Sequence, residues 1–154
     1  MSGEEMWQAY CLESGTDAST PHECRAFCGG GPLADELAGL VLAGKKTATA
    51  SSAIAYRIEN ESFPETGCFS VILFDSGEAA CVIRDTKISV VPFDEVSAAH
   101  AFKEGEGDRS LGYWRAVHEP FFTPDYAAAG LPFDPHGDCV LEEFEIVYPG
   151  SKPD

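Results

Sequence analysis

Two apolar runs, Cys68 to Phe74 and Ala80 to Val91, flank the tetrapeptide Asp75-Ser76-Gly77-Glu78. A turn of that composition between strand-like runs predicts a β-hairpin, which commits the fold to an antiparallel pair. In the second run Val82, Ile88 and Val90 share one face, and Pro92 ends the strand because it has no amide to donate. Val140 to Tyr148 predicts a further strand, with Phe144, Ile146 and Tyr148 alternating with Glu143, Glu145 and Val147. The order strand, hairpin, helix, terminal strand is not a run of βαβ units. It predicts an α+β fold: a small, mainly antiparallel sheet, curved or closed, with helices packed outside it.

Ser2 with Glu5 forms a capping box ahead of a helix to about Leu12, whose stripe is Met6, Trp7, Tyr10 and Cys11. Gly15 to Pro32 is rich in turn residues and reads as a loop, or as one short helical turn. Leu33, Leu37, Leu40 and Val41 give a second helix, to Ala43, with Gly44 at the left-handed cap position. Lys45 to Ser51 then alternates polar and small residues as a short strand would, Thr47, Thr49 and Ser51 sharing a face. Ile58 to Gly67 reads as a polar loop. Phe93 to Lys103 is helical at its centre, and Glu104-Gly105-Glu106-Gly107-Asp108 is an acidic loop. Asp108 or Ser110 caps a helix carrying Leu111, Tyr113, Trp114 and Val117. Thr123 to Asp138, with three prolines, reads as loop.

The 154 residues fit one domain, with a core at about 6–148 and a tail at 149–154. Ten Lys and Arg stand against 26 Asp and Glu, a formal charge of −16. Such a surface repels a nucleic-acid backbone and argues against a broad basic grip on long RNA or DNA. A small ligand, or a strand end entering a local pocket, is compatible with it. No apolar run approaches the roughly 20 residues of a membrane span. Met1-Ser-Gly-Glu-Glu has neither the basic nor the apolar region of a secretory leader. The expectation is a cytoplasmic protein whose six cysteines are reduced, mostly as small core residues.

The stretch Gly44-Lys45-Lys46-Thr47-Ala48-Thr49 resembles the G-x-K-x-x-T signature of the ASCH domain family. Val91-Pro92-Phe93, the run Phe102-Lys103-Glu104-Gly105-Glu106-Gly107-Asp108-Arg109-Ser110, and Tyr113-Trp114-Arg115 look like one bacterial branch of it. The resemblance extends from about Met6 to Tyr148. It implies a β-barrel related to PUA domains, rimmed by helices, and action on RNA or modified nucleosides. Some members are N4-acetylcytidine amidohydrolases, and ribonuclease activity is ascribed to others. The amidohydrolase residues carry over to Lys46, Thr49 and Glu104. Many members have Arg two positions after the Thr; here it is Ser51, so a bidentate clamp for phosphate or a base edge is lost.

Amide hydrolysis needs a nucleophile, a group that manages its proton, and donors for the oxyanion. Thr49 offers a hydroxyl. Lys46 would take its proton only as a neutral amine, which burial favours and a neighbouring carboxylate opposes. Glu104 as proton carrier, with Lys46 stabilising negative charge, is the other assignment, and the residues leave both open. Residues three apart on a straight strand face opposite ways, so Lys46 must stand on the bend after Gly44 to meet Thr49. Each residue also has an ordinary explanation: a lysine at a helix end, a threonine in a strand, a solvated glutamate in a glycine-rich loop.

Lys45, Thr47, Ser51, Tyr56, Arg57, His100 and Arg109 are candidate ligand-binding residues around the motif. Trp114 and Tyr113 fit core packing better than base stacking. His118 reads as structural, and His136 is alone in a loop. His22, Cys24 and Cys28 offer metal donors, but no second pair at zinc spacing follows, so they read as loop and core residues. Gly29-Gly30-Gly31 lacks the Lys-Ser/Thr of a phosphate loop. No metal-ligand cluster is visible near the motif, and neither metal nor cofactor is expected. The sequence therefore predicts a small hydrolase of RNA-related substrates, acting on a modified nucleoside or short RNA. The alternative is a non-catalytic RNA- or nucleotide-binding module.

Overall fold

A computed structural model describes residues 1–150; residues 151–154 of the expected tail lie outside the described residues. In chain order the elements are α1 (Gly3–Ser14), β1 (His22–Arg25), α2 (Pro32–Leu42), β2 (Ala48–Ser52), α3 (Ala53–Ile58), β3 (Phe69–Leu73), β4 (Ala79–Pro92), α4 (Ala98–Glu104), α5 (Leu111–Ala128) and β5 (Asp138–Tyr148). Short 3-10 turns occupy Phe27–Gly29 and Phe93–Glu95. The strands hydrogen-bond in the order β1-β3-β4-β5-β2.

The expected hairpin is present: β3 pairs antiparallel with β4, Val71 opposite Val82 and Ile72 opposite Cys81. The expected closed barrel is not. The sheet is open, ending at β1 and β2, and it is mixed, because β1 runs parallel to β3. Closure needs strands long enough to tilt and stagger around a full circle. The terminal strands here have only 4 and 5 residues.

The chain divides into two compact units. The first comprises Met1–Lys45, Thr66–Thr86 and the described residues from Phe144. Its part of the sheet is buried on both faces. Successive strand residues point opposite ways. Val71 and Val82 therefore pack with Met6, Trp7, Tyr10 and Cys11 of α1. Ile72, Cys81 and Ile83 pack with Leu37, Ala38 and Val41 of α2. Two-sided burial explains why Ala80 to Ile83 is uniformly apolar rather than alternating. The Ser2–Glu5 capping box forms, and Gly44 adopts the left-handed conformation (φ 76°) just past α2.

The second unit comprises Lys46–Glu65 and Lys87–Glu143. Its core gathers Phe93, Val96, Ala101, Trp114, Phe122, Tyr126, Cys139 and Leu141. β2 pairs antiparallel with β5, Thr49 opposite Glu142. Ser110 caps α5 by accepting from the Tyr113 amide. The helix then continues through Pro120 and Pro124 to Ala128, entering the segment from Thr123 where the sequence predicts a loop. Each interior proline costs a helix about 3 kcal/mol. The buried aromatics Phe122 and Tyr126 repay a large part, at roughly 1.5–3 kcal/mol each. They continue the four-residue spacing set by Trp114 and His118, and so hold the helix against the core. The face expected for β4 also fails at its far end: Val90 is exposed.

None of the six cysteines is in a disulfide. Cys11, Cys81 and Cys139 are buried, whereas Cys28 and Cys68 are exposed. Among the described residues, no helix is long and apolar enough to cross a membrane.

Ile72 is fully buried between the β3–β4 pair and α2, whereas Leu12 is 87% exposed. Ile72→Ala should therefore cost about 3 kcal/mol of unfolding free energy and Leu12→Ala no more than about 0.5 in urea denaturation. Equal losses would contradict the placement of α1 and α2.

Candidate functional site

Lys46 follows the bend after Gly44 and precedes β2. Its backbone is anchored one residue on, where the Thr47 amide donates to the Lys103 carbonyl of α4 at 2.7 Å. The Lys46 side chain turns inward and is 2% exposed. Its Nζ lies 3.5 Å from Glu104 Oε1 and 3.1 Å from Glu106 Oε2. Glu104 is the last residue of α4 and is 1% exposed. The solvated loop glutamate allowed by the sequence is thus a core carboxylate. Gly105 takes the left-handed cap conformation (φ 74°), which reverses the chain and brings Glu106 to the same ammonium.

Glu104 is densely supplied with donors. His100 Nε2 lies 2.7 Å from Oε2, one helical turn earlier on α4. Trp114 Nε1 of α5 donates to the same oxygen at 2.5 Å. His118 Nε2 approaches Oε1 at 3.5 Å. His118 Nδ1 donates to the Trp114 carbonyl at 2.7 Å, which sets the ring so that Nε2 faces the carboxylate. The imidazole stacks on the Trp114 ring, centroids 4.1 Å apart. Burial by itself would raise the Glu104 pKa. The hydrogen bonds from His100 and His118 and the Lys46 charge outweigh it and hold the carboxyl well below the usual carboxylate range.

Glu104, Glu106 and His118 have donor atoms within 4.8 Å of one another, a grouping that the linear sequence did not suggest. The Lys46 ammonium already supplies a cation to both carboxylates. A divalent ion there would have to displace a buried charge.

The structure brings Lys46, Glu104 and His100 together. It does not join Thr49 to them by a bond: Thr49 is half-buried in β2, and its hydroxyl has no hydrogen-bond partner among the described residues. Thr47 is exposed, its hydroxyl 3.4 Å from the Lys103 carbonyl. Ser51 Oγ lies 2.9 Å from the Tyr56 hydroxyl, and Arg57 is exposed on α3. Arg109 (φ 64°) covers the Phe102 ring at 3.6 Å and donates to the Phe102 carbonyl. Lys45 belongs to the first unit, its amide bonded to the Leu40 carbonyl. The members that sequence reasoning missed are Glu106, Trp114 and His118. The four-residue spacing of the last two on one helix face was the available signal.

A cavity of about 250 Å³ opens beside His100, lined also by Lys87, Ser89, Lys103 and Glu143. Lys103 bonds Glu143 at 2.7 Å and lowers its pKa. With Glu95 also in the lining, lysines and glutamates are balanced along this wall.

The architecture is α+β, with an open mixed sheet. The ASCH domain profile matches residues 23–148, and the chain belongs to that family. It is similar to the ASCH domain from Lactobacillus crispatus JV V101, with 30% identity over 95% of this chain and 94% of that one and a TM-score of 0.88. A protein from Enterococcus faecalis V583 is 33% identical over 93% of this chain and 86% of that one, with a TM-score of 0.83. No curated protein matches the chain significantly.

Because the Glu104 carboxyl is depressed in the folded state, its stabilising contribution is complete above the ordinary value of 4.5 and is lost as the pH falls below it. Urea midpoints measured from neutral to acid pH should decline more steeply below 4.5 in the wild type than in Glu104→Gln. Identical acid slopes would contradict the ionised, hydrogen-bonded carboxylate.

Proposed function

We propose that this chain is a hydrolase of small RNA-related substrates, with an acylated cytosine nucleoside as the concrete case. The observation carrying this reading is the burial of Lys46 and Glu104 at 2% and 1% exposure, with His100 linking the carboxylate to the cavity wall. Placing two charges in a core is expensive, and hydrophobic residues of equal volume serve stability as well or better. Ionisable groups held this way, beside a cavity, are candidates for chemistry.

In this reading Glu104 manages the proton through His100, Lys46 offsets negative charge developing on the substrate oxygen, and Thr49 supplies or orients the attacking hydroxyl. Addition to the acyl carbon gives a tetrahedral intermediate whose collapse breaks the C–N bond, the proton taken from the nucleophile passing to the leaving amine. Where Thr49 itself is the nucleophile, water then hydrolyses the acyl-threonine, releasing the carboxylic acid and restoring the hydroxyl. Ser51 bonded to Tyr56 provides no guanidinium for a phosphate, which favours a nucleoside over a nucleotide chain. The second reading, a module that binds a nucleotide or short RNA without turnover, is favoured by the lack of a bond from the Thr49 hydroxyl to either charged partner.

Incubation with N4-acetylcytidine and, separately, with a short RNA distinguishes the two. The hydrolase reading predicts release of cytidine, reduced by at least about a hundredfold in Lys46→Ala and Thr49→Ala. Binding without turnover supports the module. Turnover that persists unchanged in both variants would overturn the site assignment.

A further inference from the structure

We propose that Glu4, His22 and Cys24, in the first unit, form a site for a borderline-soft divalent metal ion of the zinc class. The carboxylate, the imidazole Nε2 and the thiolate would be three ligands and water the fourth. The three donor atoms lie within 4.8 Å of one another. His22 Nε2 is 2.9 and 3.1 Å from the two Glu4 oxygens, and Cys24 Sγ is 3.5 Å from Oε1. Nitrogen, sulfur and oxygen in one set match the ligand preferences of Zn²⁺.

The orientation of His22 is the second observation. Its Nδ1 faces the Thr20 carbonyl at 3.0 Å, and a carbonyl can only accept, so Nδ1 bears a proton and Nε2 is the atom left for a ligand role. The ring thereby turns Nε2 toward the Glu4 carboxylate, where a metal ion beside the two atoms can take the place of an Nε2 proton. A backbone carbonyl on Nδ1 is the usual outer-sphere partner of a metal-bound histidine. The ring is also clamped flat on Trp7, centroids 4.1 Å apart and planes 15° apart. Trp7 is itself fixed by donating to the Ala18 carbonyl at 3.0 Å.

Gly3 makes room for the sulfur. A Cβ at that position would come within 2.7 Å of Cys24 Sγ and 3.1 Å of a Leu73 methyl. Cys24 and His22 have the alternate spacing that puts both side chains on one face of β1, and α1 presents Glu4 to it. Neither strand nor pairing was evident in this turn-rich segment, so the sequence shows a histidine and a cysteine without their third partner. Coordination replaces the Cys24 S–H bond with a metal–sulfur bond and releases the proton to solvent.

The test is titration of the reduced protein with Co²⁺, whose thiolate charge-transfer absorption reports sulfur ligation. The wild type should take up one equivalent with that absorption, and Zn²⁺ should bleach it. Cys24→Ser should abolish the band, and Glu4→Gln should weaken binding about tenfold or more. Cys28→Ser, at an exposed thiol outside the cluster, should leave the titration unchanged. Circular dichroism confirms that each variant is folded. A wild-type titration without the band, or a band that survives in Cys24→Ser, overturns the proposal and leaves an ordinary histidine–glutamate ion pair.

Discussion

An ammonium and a carboxylate withdrawn from water dictate what surrounds them in the second unit. Lys46 and Glu104 are 58 positions apart, and both are almost completely covered. Their attraction at 3.5 Å does not alone compensate their desolvation. The remainder comes from the groups around them: Glu106 on the ammonium, and His100, Trp114 and His118 on the carboxylate. Two of those side chains are in turn held by the core. His118 is fixed by its stack on Trp114 and by the Trp114 carbonyl, and Trp114 belongs to the core with Phe93 and Phe122.

This dependence accounts for local features that otherwise look arbitrary. The chain leaves Gly44 on a bend, so Lys46 enters the interior while Thr47 stays exposed. α4 ends on a left-handed Gly105, so two glutamates separated by one residue reach the same ammonium. α5 runs past two prolines because its buried face, from Trp114 to Tyr126, continues beyond them. At the two glycines local backbone preference and packing agree, whereas at the prolines packing of the second unit overrides it.

Much of the fold was legible in the sequence, and the exceptions have physical causes. The hairpin, the capping box, both early helices and the terminal strand follow from local patterns, and local patterns are what periodicity reports. Strand β1 was hidden because only backbone pairing with β3 makes its four residues a strand. Open versus closed was hidden too, since it depends on which strands end the sheet. Lys46 and Glu104 were named through the family signature. Spacing could not have linked them, and it suggested that Glu104 was solvated. Glu106 and His118 went unrecognised because their roles exist only once α4 and α5 are packed. Thr49 lies on the predicted strand without a bond to the pair it was expected to serve.

The central claim, that Lys46 and Glu104 interact as a buried unit, is tested most directly by a double-mutant cycle. Unfolding free energies would be measured for the wild type, Lys46→Met, Glu104→Gln and the double variant. Each single change removes one buried charge from its oppositely charged partner, so both should be costly, while the double variant should recover about 2 kcal/mol or more relative to their sum. Strict additivity would mean that the two charges do not sense each other, and the account of this site would fail.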